Sequence, residues 1–423
     1  MRLLWLCNNA PGVIRAHQNH TPVEAVNWVD QVLEGLRKQG LCLHVLFRGT
    51  PGAGALDDGC TYLGFDEPLP QKYYPELEAL FRQELRRFQP DVIHSWGLEY
   101  GHTLALVNAA REEGMLGRMC ASIQGLCYYI ACHYNEGIPC AEQHRGTFRD
   151  VVRRDNLVQQ QEKFRQRGRM EAQAMVQLHH VVGRTHWDRA CALELNPQIQ
   201  YHSCNETLRP AFYQGTWDYA GCRRHRIFAS SCDYPVKGFH YLLEAAAQVR
   251  EAYPDITLAV PGEDFLHLTA KEKLRQGSYG RYLARLAKAY HLENNIEFLG
   301  HLTQEQMKAE YLKANVFCLS STIENSPNAL GEAMLLGVPC IAANVGGVGS
   351  LLEDGTEGRL YQSTAPYLLA HHIRQVFAME DRAQALGRAA QAHARKTHNS
   401  EANLARLLEI YQQIGEERHG TET

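Results

Sequence analysis

The sequence predicts an α/β fold of two parallel-sheet halves, and three observations predict it. The chain has 423 residues, beyond the length at which a single hydrophobic core keeps growing, so two domains are expected. Short apolar runs without polar alternation recur along it, as strands covered on both faces require. Between them lie longer segments with apolar residues every three or four positions, the period of helices packed on a sheet.

In the first half the strand candidates are residues 3–7, 41–47, 91–96, 119–124 and 180–183, with helices expected over 23–38, 74–88 and 103–113. The second half repeats the rhythm. Strands are expected over 226–231, 256–260, 296–299, 316–320 and 339–343, and helices over 239–253, 282–290, 304–314 and 328–336. A polar stretch carrying Pro210, Gly215 and Gly221 marks the junction. The expected domains are therefore 1–210, with a helix over 400–418 packing back on it, and 211–399. Ligands of open α/β sheets bind beyond the carboxyl ends of the strands, so a cleft between the halves is the expected site.

Composition narrows the function classes. Hydrophobic residues make up 45% and charged residues 21%, with a net charge of only -4, which gives no reason to expect a nucleic-acid partner. The apolar run at 3–7 is too short for a signal peptide, and no 18-residue apolar stretch suggests a membrane span. Thirteen cysteines lie scattered without a C-x-x-C pair, which reads as reduced thiols and a cytoplasmic location. From residue 145 to 169 there are eight basic side chains against Asp150, Asp155 and Glu162. That run suits either peripheral contact with an anionic membrane at its inner face or a solvated helical face with internal ion pairs.

The most informative segment runs from Val316 to Pro339. An apolar strand ends near Ser320 and a loop carries Glu324 and Asn325 beyond it. Ser326 is a good N-cap, Pro327 suits the first helical position, and Gly337 followed by Pro339 ends the helix. Free amides at Asn328 and Ala329 then lie at a helix N-terminus, where backbone donors and the macrodipole favour phosphate. Glu332, in the second turn, leans back toward the same end and is suited to accept from paired hydroxyls. Phosphate flanked by hydroxyl-rich groups describes a sugar nucleotide.

Glu324 to Glu332 resembles the Glu-x7-Glu signature of glycosyltransferase family 4, and Ala333–Pro339, Asn344-Val-Gly346-Gly347 and Asp354–Gly358 continue that pattern. Tyr234-Pro-Val-Lys237-Gly238, Gly262 and Gly300 match the family's upstream elements. The likeness spans nearly the whole second half. It is weaker in the first, where Pro90–His94, Arg184–Asp188 and Asn205–Pro210 resemble a bacterial subgroup of surface polysaccharide synthesis.

The resemblance implies the GT-B fold, two Rossmann-like domains facing each other across a cleft, and retaining transfer from a UDP- or GDP-sugar to a glycan or lipid-linked acceptor. It implies catalytic roles for Glu324, at the donor sugar hydroxyls, and Lys237, at the diphosphate. Glu332 would take the ribose, and the backbone at Asn328, Ala329 and Leu330 the diphosphate. Asn325, Ser326, Gly262 and Gly300 would complete the donor side. No metal or tightly bound cofactor is implied.

Three departures from the family pattern stand out. Ser231 replaces an arginine, leaving Arg184 or Arg209 as substitute cations; Gln124-Gly125 replaces a His-Gly pair; and Val26-Asn27 replaces a Gly-Gly pair, leaving Gly12 as the early glycine on the acceptor side. A sugar-nucleotide epimerase, a phosphorylase, or a non-catalytic sugar-nucleotide-binding subunit of an assembly complex are the competing readings.

Overall fold

The computed structural model describes residues 1–20 and 28–420. Val26-Asn27 and the start of the helix expected over 23–38 lie outside the described residues; the helix is seen over Trp28–Lys38. The chain forms two compact units, one made of Met1–Tyr129, Lys163–Leu208 and His398–Thr423, the other of Ile130–Glu162 and Arg209–Thr397.

The first unit holds strands β1 (Arg2–Cys7), β2 (Cys42–Arg48), β3 (Gly52–Ala55), β4 (Thr61–Phe65), β5 (Val92–Trp96), β6 (Met119–Ser122), β7 (His180–Gly183) and β8 (Gln200–Ser203). They form one sheet in the order β3-β4-β2-β1-β5-β6-β7-β8. All neighbours are parallel except β3 and β4. The antiparallel β3, Gly-Ala-Gly-Ala, is exposed and carries no apolar pattern by which a strand could be read. At the centre, β1 buries Leu3, Leu4 and Trp5 completely, which fits its uninterrupted apolar run.

The helix Ser400–Gly420 belongs to this unit. It buries Leu407, Ile410, Tyr411 and Ile414. The Tyr411 hydroxyl accepts from Trp5 Nε1 at 3.1 Å and bonds His94 Nδ1 at 2.6 Å. His94 is inside β5; its Nε2 bonds Ser122 Oγ at 2.8 Å, and burial pushes its pKa down to about 3.

In the second unit β9 (Arg226–Phe228), β10 (Thr257–Val260), β11 (Ile296–Phe298), β12 (Val316–Leu319), β13 (Cys340–Ala343) and β14 (Arg359–Tyr361) form an all-parallel sheet. Their order is β11-β10-β9-β12-β13-β14. That is the doubly wound Rossmann order, whose topological switch point falls between β9 and β12. Residues 130–162, placed in the first domain by chain order, cluster with this unit instead. Bonds hold them there: Thr322 Oγ1 donates to the His133 carbonyl at 3.0 Å, His240 Nε2 bonds the Glu136 carbonyl at 3.0 Å, and Glu142 pairs with Arg285.

The basic run from 145 to 169 is not one face. Thr147 and Asp150 form a capping box at the start of a short helix, Phe148–Arg153, in the second unit. A separate helix, Leu157–Met175, follows, and its Arg167 belongs to the first unit. There the Arg167 guanidinium lies over the Tyr100 ring at 4.5 Å and donates from Nε to the Glu99 carbonyl at 2.8 Å. All thirteen cysteines are free thiols, most of them buried.

Candidate functional site

Segments from several parts of the second unit converge on the carboxyl edge of its sheet. Beyond β9 the chain makes a tight turn, Pro235–Lys237, closed by Gly238 at φ +61°. A Cβ at Gly238 would lie 1.9 Å from the Ser320 carbonyl oxygen, so only glycine lets the two backbones approach. The turn is pinned to the end of β12 by two further bonds. Ser320 Oγ donates to the Lys237 carbonyl at 2.9 Å, and the Thr322 amide donates to the Val236 carbonyl at 2.9 Å.

This brings Lys237 to Glu324. Lys237 Nζ donates to Glu324 Oε1 at 2.7 Å, and Ser321 Oγ donates to the same oxygen at 2.8 Å. The Glu324 backbone is held as well, its carbonyl accepting from the Gly347 amide at 3.0 Å. Gly346, at φ +50°, passes so close that a Cβ there would be 2.0 Å from that carbonyl oxygen. Two side chains read separately in the sequence, Glu324 and Lys237, are thus one ion pair at the switch point.

The helix Asn328–Leu336 has the bounds expected of it, but its cap differs from the one read in the sequence. Its N-cap is Pro327, with ψ 110° and no side-chain cap, so the N-cap role read for Ser326 does not hold. Proline fits that position because its missing N–H would have no helical partner there. The Leu330 amide, expected at the diphosphate, donates to the Pro327 carbonyl at 2.9 Å. That leaves Asn328 and Ala329 as the first two amides of the helix, whose geometry provides no intrahelical acceptor. Asn325 is buried and Ser326 half-buried in the loop before it.

Glu332 is buried and held by a bidentate pair: Arg209 Nε and Nη2 donate to its two oxygens at 2.7 Å each. Burial raises the Glu332 carboxyl's pKa and the Arg209 bonds oppose that rise. Arg209, expected on the acceptor side or at the diphosphate, therefore belongs to the second unit as the partner of Glu332. On the far side of β9, the Gly262 amide donates to the Gly300 carbonyl at 3.0 Å. Both glycines have positive φ, +118° and +65°. A Cβ at Gly262 would press on Asp233 Oδ1 at 2.7 Å. Ser231 Oγ donates to Asp233 Oδ2 at 3.1 Å. Where the family pattern has an arginine, this chain thus tethers an acid.

Of the residues expected on the acceptor side, Gly12, Gln124, Gly125 and Arg184 belong to the first unit. Gly12 follows β1 and its amide donates to Asp30 Oδ1 at 2.5 Å. Gln124-Gly125 follow β6, and Gln124 Nε2 donates to Glu206 Oε1 at 2.8 Å. Arg184 follows β7, ion-paired with the same Glu206, and donates from Nη2 to the Ile123 carbonyl at 2.6 Å. Glu206 is thus the acceptor that fixes both Gln124 and Arg184. Sequence reasoning missed it, together with Ser321 and Asp233. Ser321 lies three residues before Glu324 and Asp233 two after Ser231, so both had a local signal; Glu206 acts only through folded contacts. Among the described residues, no group of three or more His, Cys, Asp or Glu side chains is arranged to hold a metal ion.

Residues 225–393 match the family model described as Glycosyl transferases group 1, so the second unit carries a glycosyltransferase domain. Over 180 residues the chain is 27% identical to D-inositol 3-phosphate glycosyltransferase of Corynebacterium urealyticum, 42% of this chain and 41% of that protein. The chain thus spans less than half the length of that curated relative. Sucrose-phosphate synthase of Thermosynechococcus elongatus has a similar structure, with a TM-score of 0.72 at 17% identity, over 98% of this chain and 99% of that one. Anabaena HepE in complex with UDP-glucose is also similar, with a TM-score of 0.64 at 16% identity, over 99% and 100% of the two chains. The fold is that of the GT-B glycosyltransferases, two Rossmann-like parallel-sheet domains.

Proposed function

We propose that the chain is a retaining glycosyltransferase that moves a sugar from a nucleotide-diphosphate sugar to a glycan or lipid-linked acceptor in bacterial surface polysaccharide synthesis. One observation carries the reading: Lys237 and Glu324 form a 2.7 Å ion pair at the switch point of a Rossmann sheet, beside the start of the helix at Asn328. The UDP-glucose held by Anabaena HepE, a protein of the same fold, supports a UDP-sugar as donor.

In this reading the diphosphate binds at the Asn328 and Ala329 amides and draws Lys237 to itself. Glu324, released from the ammonium, accepts from the sugar hydroxyls. Glu332 meets the ribose, with Arg209 holding its carboxylate ionised. The acceptor oxygen forms its bond to the anomeric carbon on the face from which the phosphate departs. The phosphate carries away the electron pair of the broken bond and takes the acceptor's proton. Cations and amides placed beforehand at the leaving group stabilise the charge that develops there.

The test is transfer measured with Lys237→Ala and Glu324→Ala against a panel of UDP- and GDP-sugars. Each substitution is expected to lower turnover by at least about tenfold, the order of losing one transition-state contact. Near-wild-type turnover in both would refute the assignment. Nucleotide binding without release of free nucleotide, with or without acceptor, would make the chain a binding subunit.

A further inference from the structure

In a water-soluble amphipathic helix the apolar side chains turn inward and the charges outward. The helix Phe148–Arg153 is built the other way round. Its polar residues face the protein: Asp150 and its capping partner Thr147 are buried, and Arg149 Nη1 pairs with Asp150 at 3.0 Å and Asp155 at 3.1 Å. Its apolar residues face out, with Phe148 64%, Val151 74% and Val152 67% exposed. Arg153 and Arg154, at its end, are exposed.

A second short helix of the same unit, Ala270–Arg275, packs beside it. It too starts with a capping box, Thr269 with Glu272, and every one of its residues is exposed. Leu274 is 58% exposed, and Lys271, Lys273 and Arg275 surround it. Two segments more than a hundred residues apart in sequence therefore present the same chemistry side by side. Four apolar side chains are interleaved with five bases, and the acid among them, Glu272, is engaged as a cap through Thr269 at 2.8 Å.

We propose that these two helices form one docking patch for an anionic lipid bilayer. The apolar side chains would enter the headgroup boundary, and the bases would remain at the level of the lipid phosphates. Charge complementarity selects this partner: a neutral protein surface would answer the apolar groups but leave five cations unmatched. The patch belongs to the second unit alone, so the charge run at 163–169 has no part in it. The proposal does not rest on the transferase reading, and it is tested by binding alone.

The test is co-sedimentation of the full chain with vesicles of phosphatidylcholine, alone or with about a third phosphatidylglycerol. Binding is expected only to the anionic vesicles and should weaken as salt rises from about 0.1 M to 0.5 M. F148S/V151S/V152S and R153E/R154E should each lower the partition constant at least about tenfold. K271E/K273E should do the same if the helices act together. These positions are exposed, so an unchanged melting temperature will show that the variants fold. Three results would overturn the proposal: no difference between the vesicles, variants that bind like the wild type, or soluble polyphosphate bound as well by F148S/V151S/V152S as by the wild type. The last would make the patch a polyanion site.

Discussion

Arg209 offers the sharpest test of how the donor-side helix is held. Replacing it with methionine keeps an unbranched apolar side chain but removes the guanidinium, which lies over the Phe212 ring at 4.8 Å and makes both 2.7 Å bonds to Glu332. Glu332, with a side chain 3% exposed, is then left without its bidentate partner. Removing one member of a buried pair costs about 3–5 kcal/mol, because the other charge stays desolvated. Arg209 itself is 30% exposed, so water already screens part of the pair, and about 2–3 kcal/mol is the expected loss. The sign with pH follows from linkage. Glu332 has a raised carboxyl pKa in the folded protein, and loss of Arg209 raises it further. Below that value the native state takes up the proton and the buried charge vanishes, so the penalty shrinks on acidification and is full above it. Urea unfolding of wild type, R209M and R209M/E332M near neutral and mildly acidic pH measures all of this. A loss of less than about 0.5 kcal/mol at every pH tested would refute this, since a buried carboxyl cannot lose both bonds of its partner so cheaply. So would a double variant no more stable than the single one.

Two further outcomes are expected. Gly238→Ala forces a Cβ to within 1.9 Å of the Ser320 carbonyl oxygen at φ +61°, so the turn must shift and carry Lys237 away from Glu324. Destabilisation above about 1 kcal/mol, together with loss of the thermal shift produced by UDP, is expected, and a fully stable UDP-binding variant would contradict it. In the first unit, Glu171 accepts the Tyr128 amide at 2.9 Å, and burial pushes its carboxyl pKa up to about 8. The folded protein therefore holds a proton that the unfolded chain releases, and Glu171 lowers stability progressively as pH rises from the ordinary carboxylate range through about 8. Glu171→Gln should flatten that slope in urea titrations across the same range, and an unchanged slope would exclude Glu171 as its source.

The parts of the fold legible in the sequence are those fixed by local chemistry. The central strands carry unbroken apolar runs, and the Gly238 and Gly337 turns require residues that tolerate positive φ. What escaped depends on distance along the chain or on a margin of one residue. β3, Gly-Ala-Gly-Ala, has no large apolar side chain to mark it. The helix expected to be capped by Ser326 begins after Pro327, a shift that propensity alone does not resolve because both residues suit a helix start. Arg209 meets Glu332 across 123 positions, and Gln124 meets Glu206 across 82. Such pairings have no periodicity and no motif. The assignment of residues 130–162 to the second unit likewise rests on Thr322, His240 and Arg285, which no reading of that stretch alone would summon.

The Trp5–Tyr411 bond joins residues 406 positions apart, within a unit made of three separate stretches of chain. On the ribosome, β1 emerges early, yet the helix that covers Trp5 is made only after the whole of the second unit. At about 5–20 residues per second, the interval is tens of seconds. Throughout it the first sheet lacks the side chains of Leu407, Ile410, Tyr411 and Ile414. The order of manufacture is thus inverted: the half that begins first is completed last.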